Sequence, residues 1–373
     1  MYDDYRIFFG TCINPYTVKN KSYTSLVKKH FNSITCTNEM KAYSLLDEKA
    51  SRANPDLMPV MNYKLADQIM DFASREGIKV RGHVLVWDAY MSDWFFREKY
   101  LPDGDYVDRE TLLKRLDYYI TEVITHFEKK YPGVVYCWDV VNEAVADNQG
   151  EYDAKDPKHI RKLRNNAPNQ FEAIIGNDYV EQAFLMAKNA TESLKADIDL
   201  YYNDYNAFQT EKSAAISELI KSINNYAKDK SGKPRKLCDG VGMQGYIGGY
   251  GTQEGCMQKK DLDLIEKAIR KYGALGVKIQ FTEMSIRNFK GDEESQKKHA
   301  QFCKDLFDRI LKLKVKEKQP IDAVVLWTIM DNPSLKKGTY DYKLCSPYGG
   351  LFTKDYKVKD SFVKIHQVAK NYK

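Results

Sequence analysis

Apolar residues along this chain follow two alternating patterns. Short apolar runs of strand length alternate with longer segments in which apolar residues recur every three or four positions, as on one face of a helix. The short runs are Ile7–Ile13, Ser33–Cys36, Lys79–Trp87, Val134–Val141, Asp199–Tyr202, Gly240–Met243, Val277–Phe281 and Ala323–Trp327. The helical segments are Tyr23–His30, Tyr63–Glu76, Arg109–Lys130, Asp178–Lys195, Glu211–Lys228, Asp261–Tyr272, Glu294–Lys312 and Asp360–Asn371.

This alternation predicts an α/β fold with parallel strands, each followed by a helix. The simplest architecture of this kind is a closed (β/α)8 TIM barrel, formed by a single domain over residues 1–373. A doubly wound open sheet is the alternative, but no G-x-G-x-x-G follows the first run. The sequence shows no internal repeat and no linker, and the Gly-rich stretch 245–255 is predicted to be a loop.

The segment Tyr63–Glu76 illustrates how an outer helix of the barrel is predicted. One apolar stripe is formed by Leu65, Ile69, Phe72 and Ala73. Such a stripe faces the strands, and Gly77 directly after it is expected to end the helix.

Two of the strand-like runs end on a glutamate. The run Val134–Val141 is followed by Asn142 and Glu143, and a second run ends in Thr282 and Glu283. A glutamate after an apolar run is most often a surface residue at the start of a loop. In a barrel, however, the carboxyl ends of the strands surround the active site. Two carboxylates facing one cleft supply the acid and the nucleophile or base that cleavage of a glycosidic bond requires.

Other polar and aromatic residues collect just after the same runs. They are Asn38, Lys41, His83, Trp87, Asn142, Asn203, Asp204, Tyr205, Gln244, Tyr246 and Trp327. Each has an ordinary alternative: a satisfied core histidine, a packing tryptophan or a solvated lysine. Together they predict a cleft that combines hydrogen-bonding groups with aromatic surfaces suited to stacking on sugars.

Charge and composition narrow the range of partners. The net charge is only +6, and the basic residues are dispersed, so no nucleic-acid partner is predicted. No apolar run approaches the length of a membrane span, so no membrane partner is predicted either. The first residues lack the basic and apolar regions of a signal peptide, from which we expect a cytoplasmic protein unless a leader has been removed. The oligomeric state stays open.

The cysteines bear on metal binding and on the cellular compartment. There are 7, without a C-x-x-C pair, so neither a zinc site nor any other metal or cofactor is predicted. Cys12, Cys36 and Cys137 lie in apolar runs and are expected to be small buried residues. The odd count favours a reducing compartment.

Several stretches, in order along nearly the whole chain, resemble glycoside hydrolase family 10, the retaining endo-β-1,4-xylanases. They are Phe31-Asn-Ser-Ile-Thr35 with Asn38-Glu-Met-Lys41, Arg81-Gly-His-Val-Leu-Val-Trp87, Trp138-Asp-Val-Val-Asn-Glu-Ala144, Tyr202-Asn-Asp-Tyr-Asn206, Asp239-Gly-Val-Gly-Met-Gln244, Thr282-Glu-Met284 and Val325-Leu-Trp327. The resemblance implies that Glu143 is the acid/base, that Glu283 is the nucleophile, and that Asn142 holds the 2-hydroxyl of the sugar being cleaved. It further implies a glycone side lined by Asn38, Lys41, His83, Trp87, Gln244 and Trp327. Tyr205 and Tyr246 are also predicted to contact substrate.

The chain departs from the family pattern within the site itself. Thr37 stands where the family usually has Glu, Asp88 and Tyr90 where it has His and Gln, and a second Trp expected near Leu335 is missing. Tyr246 and Ser285 replace a His and an Asp that form a hydrogen-bonded chain with the nucleophile. We predict that the Tyr246 hydroxyl donates directly to Glu283, the alternative being drift at a tolerant position.

The predicted function is hydrolysis of internal β-1,4-xylosidic bonds in xylan or xylo-oligosaccharides by double displacement, with short imported oligosaccharides preferred. One alternative is a barrel glycosidase of the same mechanism acting on another β-linked glycan. The other is a carbohydrate-binding protein with a weak or dead site, against which the presence of both glutamates argues.

Overall fold

The computed structural model describes residues 5–147 and 156–372; the predicted domain also includes residues 1–4, 148–155 and 373, which lie outside that range. Eight parallel strands form a closed barrel, because β8 pairs with both β7 and β1. The strands are β1 (Phe8–Ile13), β2 (Ser33–Cys36), β3 (Lys79–Gly82), β4 (Val135–Asn142), β5 (Asp199–Asp204), β6 (Gly240–Met243), β7 (Lys278–Ile286) and β8 (Ile321–Leu326).

A main helix follows each strand, so the predicted (β/α)8 barrel is confirmed. The main helices are α1 (Lys21–His30), α2 (Lys64–Glu76), α3 (Arg109–Lys130), α4 (Tyr179–Leu194), α5 (Thr210–Tyr226), α6 (Lys259–Gly273), α7 (Glu293–Val315) and α8 (Asp360–Lys370). Shorter helices that the sequence did not predict lie at Pro15–Lys19, Ala42–Leu45, Glu48–Ala53, Gln170–Ile175 and Tyr340–Cys345. Single 3₁₀ turns occur at Asp88–Tyr90, Asp93–Phe96 and Glu98–Tyr100.

The strand register brings the polar strand ends to one rim. Asn142 at the end of β4 pairs with Asn203 of β5, and Asp204 pairs with Met243 of β6. On the other side of the barrel, Met284 of β7 pairs with Leu326 of β8. The residues that follow the apolar runs therefore surround one opening.

Two strands end several residues away from their predicted ends. The run Lys79–Trp87 leaves the ladder at Gly82, although Val86 still forms one parallel bridge with Val141. In contrast, β7 continues to Ile286, because its last residues pair with a two-residue strand at Tyr246–Ile247. Glu283 thus lies within a strand, and its amide donates to Gln244 O at 2.8 Å.

Helix α2 largely follows its predicted pattern. Ile69, Phe72 and Ala73 are buried, and Gly77 caps the helix with a left-handed φ of 66°. Leu65 is an exception, since it is 46% exposed in the first turn. Ala66 is buried there instead, so the predicted stripe is wrong at this position.

The inside of the barrel below the rim contains a buried ion pair between Arg81 and Asp139, to which Gln280 is hydrogen-bonded. We call these three residues the barrel floor. The Arg81 guanidinium contacts both carboxylate oxygens of Asp139, and its Nε donates to Gln280 Oε1 at 2.7 Å. Burial acts to raise the pKa of Asp139, but the Arg81 charge and a hydrogen bond from His83 hold that pKa below its ordinary value. The charged floor is thereby neutralised and fixes the base of the cleft.

All seven cysteines are unpaired, and Cys36 and Cys137 are buried as expected, whereas Cys12 is half-buried. In the described part of the chain, no helix is both long enough and apolar enough to cross a membrane.

Candidate active site

Glu143 stands at the point where the chain leaves β4. Its backbone adopts a left-handed φ of 56°, which costs a residue with a side chain about 1–2 kcal/mol. Backbone hydrogen bonds stabilise this turn: the Glu143 amide donates to Asn203 O at 2.9 Å. The amides of Ala144 and Val145 both donate to the Tyr202 hydroxyl at 3.0 Å. The turn therefore has a defined geometry despite its conformational cost.

The carboxyl group of Glu143 is buried between two donors. Gln244 Nε2 donates to Oε1 at 2.8 Å, and Arg164 Nη1 donates to Oε2 at 3.0 Å. Burial raises the pKa of Glu143 from its ordinary value of 4.5 to about 7, an effect that Arg164 partly opposes and Asp204 and Glu283 reinforce. A carboxyl group with such a pKa can hold a proton near neutral pH and also release it, as a general acid that later acts as a base must.

The carboxyl group of Glu283 is buried opposite. The Tyr246 hydroxyl donates to its Oε2 at 2.7 Å, and Asn203 Nδ2 donates to its Oε1 at 3.4 Å. Burial, together with the Glu283 charge, raises the pKa of the Tyr246 phenol well above its ordinary value, so the phenol keeps its proton and donates it. The predicted direct hydrogen bond from Tyr246 to Glu283 is confirmed.

Ser285 does not take part in this contact. Its backbone pairs with Tyr246, but its hydroxyl lies 3.3 Å from Thr328 Oγ1 and 3.5 Å from Cys345 O. The pair of hydroxyls that replaces the family's His and Asp therefore does not form a chain, and only Tyr246 contacts the carboxylate.

Three amide side chains, Asn142, Asn203 and Gln244, link the two carboxyl groups; we call them the amide chain. Gln244 Nε2, which bonds Glu143, also lies 3.4 Å from Asn142 Oδ1. Asn203 Nδ2, which contacts Glu283, donates to the same Asn142 oxygen at 2.9 Å. The two carboxyl groups are thus held in one continuous hydrogen-bonded array.

The amide chain has a fixed direction. Thr282 donates to Asn203 Oδ1 at 2.6 Å, which turns the Asn203 NH2 group toward Asn142 and Glu283. Asn142 must then accept through its oxygen, so its Nδ2 is left as a donor. This buried nitrogen has no hydrogen-bond partner among the described residues. A buried donor without a partner at an active-site cleft is a position that a ligand oxygen can satisfy.

Gly242 of β6 leaves the space that this arrangement needs. A Cβ at Gly242 would lie 2.3 Å from Asn203 Oδ1 and 2.8 Å from Thr282 Cγ2. A side chain here would displace the Asn203 amide and with it the link between the two carboxyl groups.

One side of the cleft is formed by Lys41, Asn38 and Trp87. Lys41 Nζ donates to Asn38 Oδ1 at 2.9 Å and lies over the rings of Trp87 and Tyr90, 5.0 and 4.4 Å from their centroids. Burial lowers the pKa of Lys41, although the charges of nearby carboxylates, Glu283 first among them, oppose this. The arrangement combines hydrogen-bond donors with aromatic faces, which suits a sugar ring.

The remaining predicted residues are placed differently from one another. His83 Nδ1 lies 2.7 Å from Asp139 Oδ2, which ties the imidazole to the barrel floor, and its ring meets Trp87 edge to face.

Trp327 begins the segment after β8, and its amide donates to Met284 O at 2.9 Å. The Tyr205 hydroxyl accepts a hydrogen bond from Arg161 at 2.9 Å, and its ring lies under Lys212. Tyr205 thus supports the segment behind Glu143, and its predicted contact with substrate stays a prediction.

Sequence reasoning missed two residues of the site. The sequence indicates Asn203 only as a polar strand end, although it contacts both Asn142 and Glu283. No pattern in the sequence indicates Arg164, which lies in a hairpin that pairs Leu163–Arg164 with Ala167–Pro168. The available signal was the pair Asn165-Asn166, whose φ values of 50° and 63° fit the two-residue turn that favours asparagine.

Within residues 5–147 and 156–372, no group of three or more His, Cys, Asp or Glu side chains is arranged to hold a metal ion.

A closed barrel with two linked carboxyl groups at the carboxyl end of its strands is the architecture of a barrel glycosidase. Residues 1–368 match the sequence profile of glycosyl hydrolase family 10, and the chain belongs to that family.

Relatives agree with this assignment. The chain is 33% identical over 345 residues to a putative endo-1,4-β-xylanase of Caldicellulosiruptor saccharolyticus, covering 90% of this chain and 98% of the relative. It is 30% identical over 363 residues to endo-1,4-β-xylanase B of Butyrivibrio fibrisolvens, covering 96% of this chain but only 51% of that protein. The chain therefore spans about half the length of the second relative.

A solved structure shows the same fold. The N-terminal endo-1,4-β-D-xylanase 10B of Clostridium thermocellum, in complex with xylohexaose, matches with a TM-score of 0.78 at 27% identity. The match covers 96% of this chain and 65% of that one.

Proposed function

We propose that this protein is a retaining endo-β-1,4-xylanase, in which residues 1–373 form one catalytic domain. The observation that carries the proposal is the amide chain, which joins Glu143 to Glu283 and leaves the Asn142 Nδ2 donor free between them. Family membership and the names of the relatives support xylan or xylo-oligosaccharides as the substrate.

In the first step, Glu283 attacks the anomeric carbon while Glu143 protonates the leaving oxygen. Tyr246 and Asn203 hold the two oxygens of Glu283, so the attacking group is oriented before substrate arrives. The pKa of Glu143, about 7, leaves part of this carboxyl protonated at neutral pH even with Arg164 beside it. The free Asn142 donor meets the 2-hydroxyl of the sugar, a contact that strengthens in the transition state.

In the second step, the Glu283 charge has been consumed in the covalent bond. One of the influences that raises the pKa of Glu143 is then gone, and Glu143 can accept a proton from the attacking water. The Lys41 side of the cleft holds the sugar through both steps, with Asn38, His83, Trp87, Gln244 and Trp327 around it.

The test is hydrolysis of an aryl β-xylobioside by two variants. Glu283→Ala should abolish turnover, with azide restoring activity as the α-glycosyl azide. Glu143→Ala should still form the covalent intermediate from substrates with good leaving groups, and azide should then give the β product. Glu110→Ala is a matched control, because Glu110 is an exposed carboxylate on α3. Wild-type activity in Glu283→Ala would refute the proposed roles.

The substrate assignment is tested separately by comparing xylan, β-glucan and β-mannan. We expect xylo-oligosaccharides from internal cleavage of xylan and little product from the others. Faster turnover of β-glucan or β-mannan would establish the alternative glycosidase, and an inactive wild type that binds xylan would establish the carbohydrate-binding protein.

We further propose a cytoplasmic enzyme that prefers short xylo-oligosaccharides. Two observations support it: the seven cysteines are unpaired, and Thr37 turns its hydroxyl to Ile13 O at 3.0 Å instead of offering the usual carboxylate to the glycone. The test compares kcat/KM on xylotetraose and on polymeric xylan and locates the protein by cell fractionation. Strong activity on insoluble xylan, with protein in the medium, would contradict it.

A further inference from the structure

Arg164 is shared between two carboxylates at the edge of the cleft. Its Nε donates to Asp88 Oδ2 at 2.9 Å, and its Nη1 donates to Glu143 Oε2 at 3.0 Å. Its Nη2 lies 3.2 Å from the backbone oxygen of Glu143. The Arg164 side chain is 20% exposed, more than either carboxylate it contacts. One partly exposed guanidinium therefore faces two acidic partners.

This contact opposes one of the two tasks of Glu143. A guanidinium beside a carboxylate favours its ionised form, which is the form needed when Glu143 acts as a base. The first step needs the protonated form instead. Gln244 and Arg164 can only donate through the nitrogens that face the two oxygens of Glu143. The ion pair seen here therefore suits the second step and must loosen in the first.

Of these two donors, Arg164 is the one that can leave. Gln244 is buried and follows directly after β6, its side chain also contacts Asn142, and its backbone is bonded to Asp204 and Glu283. Arg164 lies on a two-residue strand next to the exposed turn Asn165-Asn166. Its second partner, Asp88, can retain the guanidinium after the contact with Glu143 is broken. Movement of the side chain toward Asp88 requires no change in the barrel.

The base of the hairpin is firmly attached to the segment that follows Glu143. The Arg161 amide donates to Ala144 O at 2.7 Å, and Arg161 Nη2 donates to Val145 O at 3.0 Å. The hairpin thus holds Arg164 against Oε2 of Glu143, while Gln244 occupies Oε1. The leaving oxygen of the substrate must come within hydrogen-bond reach of the acid that protonates it, so the leaving sugar has to approach the position that Arg164 occupies.

We propose that Arg164 is a positioning residue that caps Oε2 of Glu143 in the free enzyme, and that a sugar bound on the leaving-group side displaces it onto Asp88. Glu143 is then free to take up a proton from solvent for the first step, while the guanidinium keeps its own protons on Asp88. When the leaving sugar departs, the guanidinium returns and favours the ionised base for the second step. This inference rests on the proposed function.

Several other groups influence the charge of Glu143. Asp204 of β5 and Glu283 of β7 act on it from the barrel. From the loops around the rim, the groups that interact with its charge are Lys41, Tyr90, Tyr250 and Tyr340. Arg161 contacts its backbone oxygen at 3.4 Å. Arg164 is distinguished by an ion pair with the carboxylate itself.

The test is the pH dependence of hydrolysis of xylotetraose by wild type, Arg164→Gln and Asp88→Asn. The alkaline limb of kcat/KM reports the free enzyme, whereas that of kcat reports the complex with substrate. In wild type, the limb of kcat should lie at higher pH than that of kcat/KM. In Arg164→Gln the kcat/KM limb should move up by about 1 pH unit or more, the size expected for loss of an adjacent opposite charge. The two limbs should then coincide.

Asp88→Asn should act in the opposite direction, because Glu143 becomes the remaining carboxylate partner of Arg164. Its kcat/KM limb should move to lower pH, while a 2,4-dinitrophenyl xylobioside, which needs little acid assistance, should show no such shift. Arg109→Gln serves as the control: it removes an arginine paired with Asp178 away from the site and should leave both limbs in place.

Coincident kcat/KM limbs in wild type and Arg164→Gln would overturn the inference, as would an upward shift in Asp88→Asn. If Arg164→Gln fails to fold, the Asp88→Asn shift and the separation of the two wild-type limbs still decide the matter. Failure of the proposed function has a different signature, since Glu283→Ala would then retain activity whatever Arg164 does.

Discussion

Two arginines in this barrel pair with carboxylates, one at the floor and one at the rim. Arg81 and Asp139 at the floor are fully buried and contact each other in a bidentate manner. Arg164 at the rim is partly exposed and divides its donors between Asp88 and Glu143. The floor therefore has one cation for one anion, while the rim has one cation for two.

This difference shows how one kind of ion pair serves two purposes. At the floor, the remaining polar groups of the pair are also occupied, by Gln280 and His83, so a single arrangement is favoured. At the rim, moving the cation from one carboxylate toward the other costs less, because an acidic partner is present in both positions. The floor fixes the shape of the cleft, whereas the rim can respond to what enters it.

Breaking the ion pair of the barrel floor should give the largest change in free energy of the predictions made here. Arg81→Met leaves the Asp139 charge buried without its partner, which typically costs about 3–5 kcal/mol in the free energy of unfolding. Urea denaturation of wild type and Arg81→Met measures this loss. The double variant Arg81→Met/Asp139→Leu is the control and should recover a large part of it, because an apolar pair leaves no unpaired charge. A single variant as stable as wild type would show that the floor is not held by this ion pair.

The raised pKa of Glu143, at the rim of the barrel, should make the stability of the protein depend on pH. Folding raises the pKa of Glu143 from 4.5 to about 7, so the folded state binds this proton more tightly than the unfolded state does. The resulting stabilisation is fully present below pH 4.5 and is lost as pH rises through about 7.

Glu143→Gln cannot ionise and should therefore gain stability relative to wild type across that range. The difference should approach about 3 kcal/mol, since each unit of pKa shift corresponds to about 1.4 kcal/mol. Urea denaturation from pH 4 to pH 9 measures it, with Glu110→Gln as an exposed control. A constant difference between Glu143→Gln and wild type over this range would contradict the raised pKa.

Loss of the hydrogen bond from Tyr246 to Glu283 should give the smallest of the three changes in free energy. Tyr246→Phe removes one hydrogen bond to a charged acceptor, worth about 1.5–3 kcal/mol, so kcat should fall roughly 10- to 100-fold. The loss should appear in kcat, because the carboxylate of Glu283, the proposed nucleophile, loses the hydroxyl that orients it. Folding should be largely intact, and Tyr246→His should be worse than wild type because the imidazole lacks an orienting Asp at position 285.

Ser285→Ala is the matched control for Tyr246→Phe, since the Ser285 hydroxyl faces Thr328 and Cys345. It should leave kcat unchanged. An unchanged kcat in Tyr246→Phe would indicate that the hydrogen bond has no influence on Glu283, the proposed nucleophile, in favour of drift at this position.

The sequence predicted those features of the site that depend on strands. Glu143 and Glu283 could be found because each ends an apolar run, and parallel strands deliver their carboxyl ends to one rim. The Tyr246 contact could be predicted only from the resemblance, because Tyr246 stands where the family has a His bonded to the nucleophile; the pairing of Tyr246 with Ser285 was not visible in the sequence. The ends of apolar runs also located Asn142 and Gln244, although the direction of their amides follows only from the three-dimensional network.

Arg164 could not be predicted because no periodic pattern leads to it. It reaches the site through a hairpin of two-residue strands, whose register depends on a local turn and on contacts with Ala144 and Val145. Asp88 was recognised as a departure from the family pattern, but its partner lies 76 positions away along the chain. Only the fold shows that Arg164 joins the carboxylate of Asp88 to that of Glu143.

The anchoring of the segment behind Glu143 has a consequence for protein engineering. Its first amides are bound to Tyr202, and Lys212 holds both Val145 O and Asp147 Oδ1, at 2.8 and 2.7 Å. On the return path, the Ala146 amide donates to His159 O at 2.8 Å. A substitution at Tyr202 or Lys212 would therefore loosen the chain directly behind Glu143, so these two positions are the ones to hold constant when the enzyme is engineered.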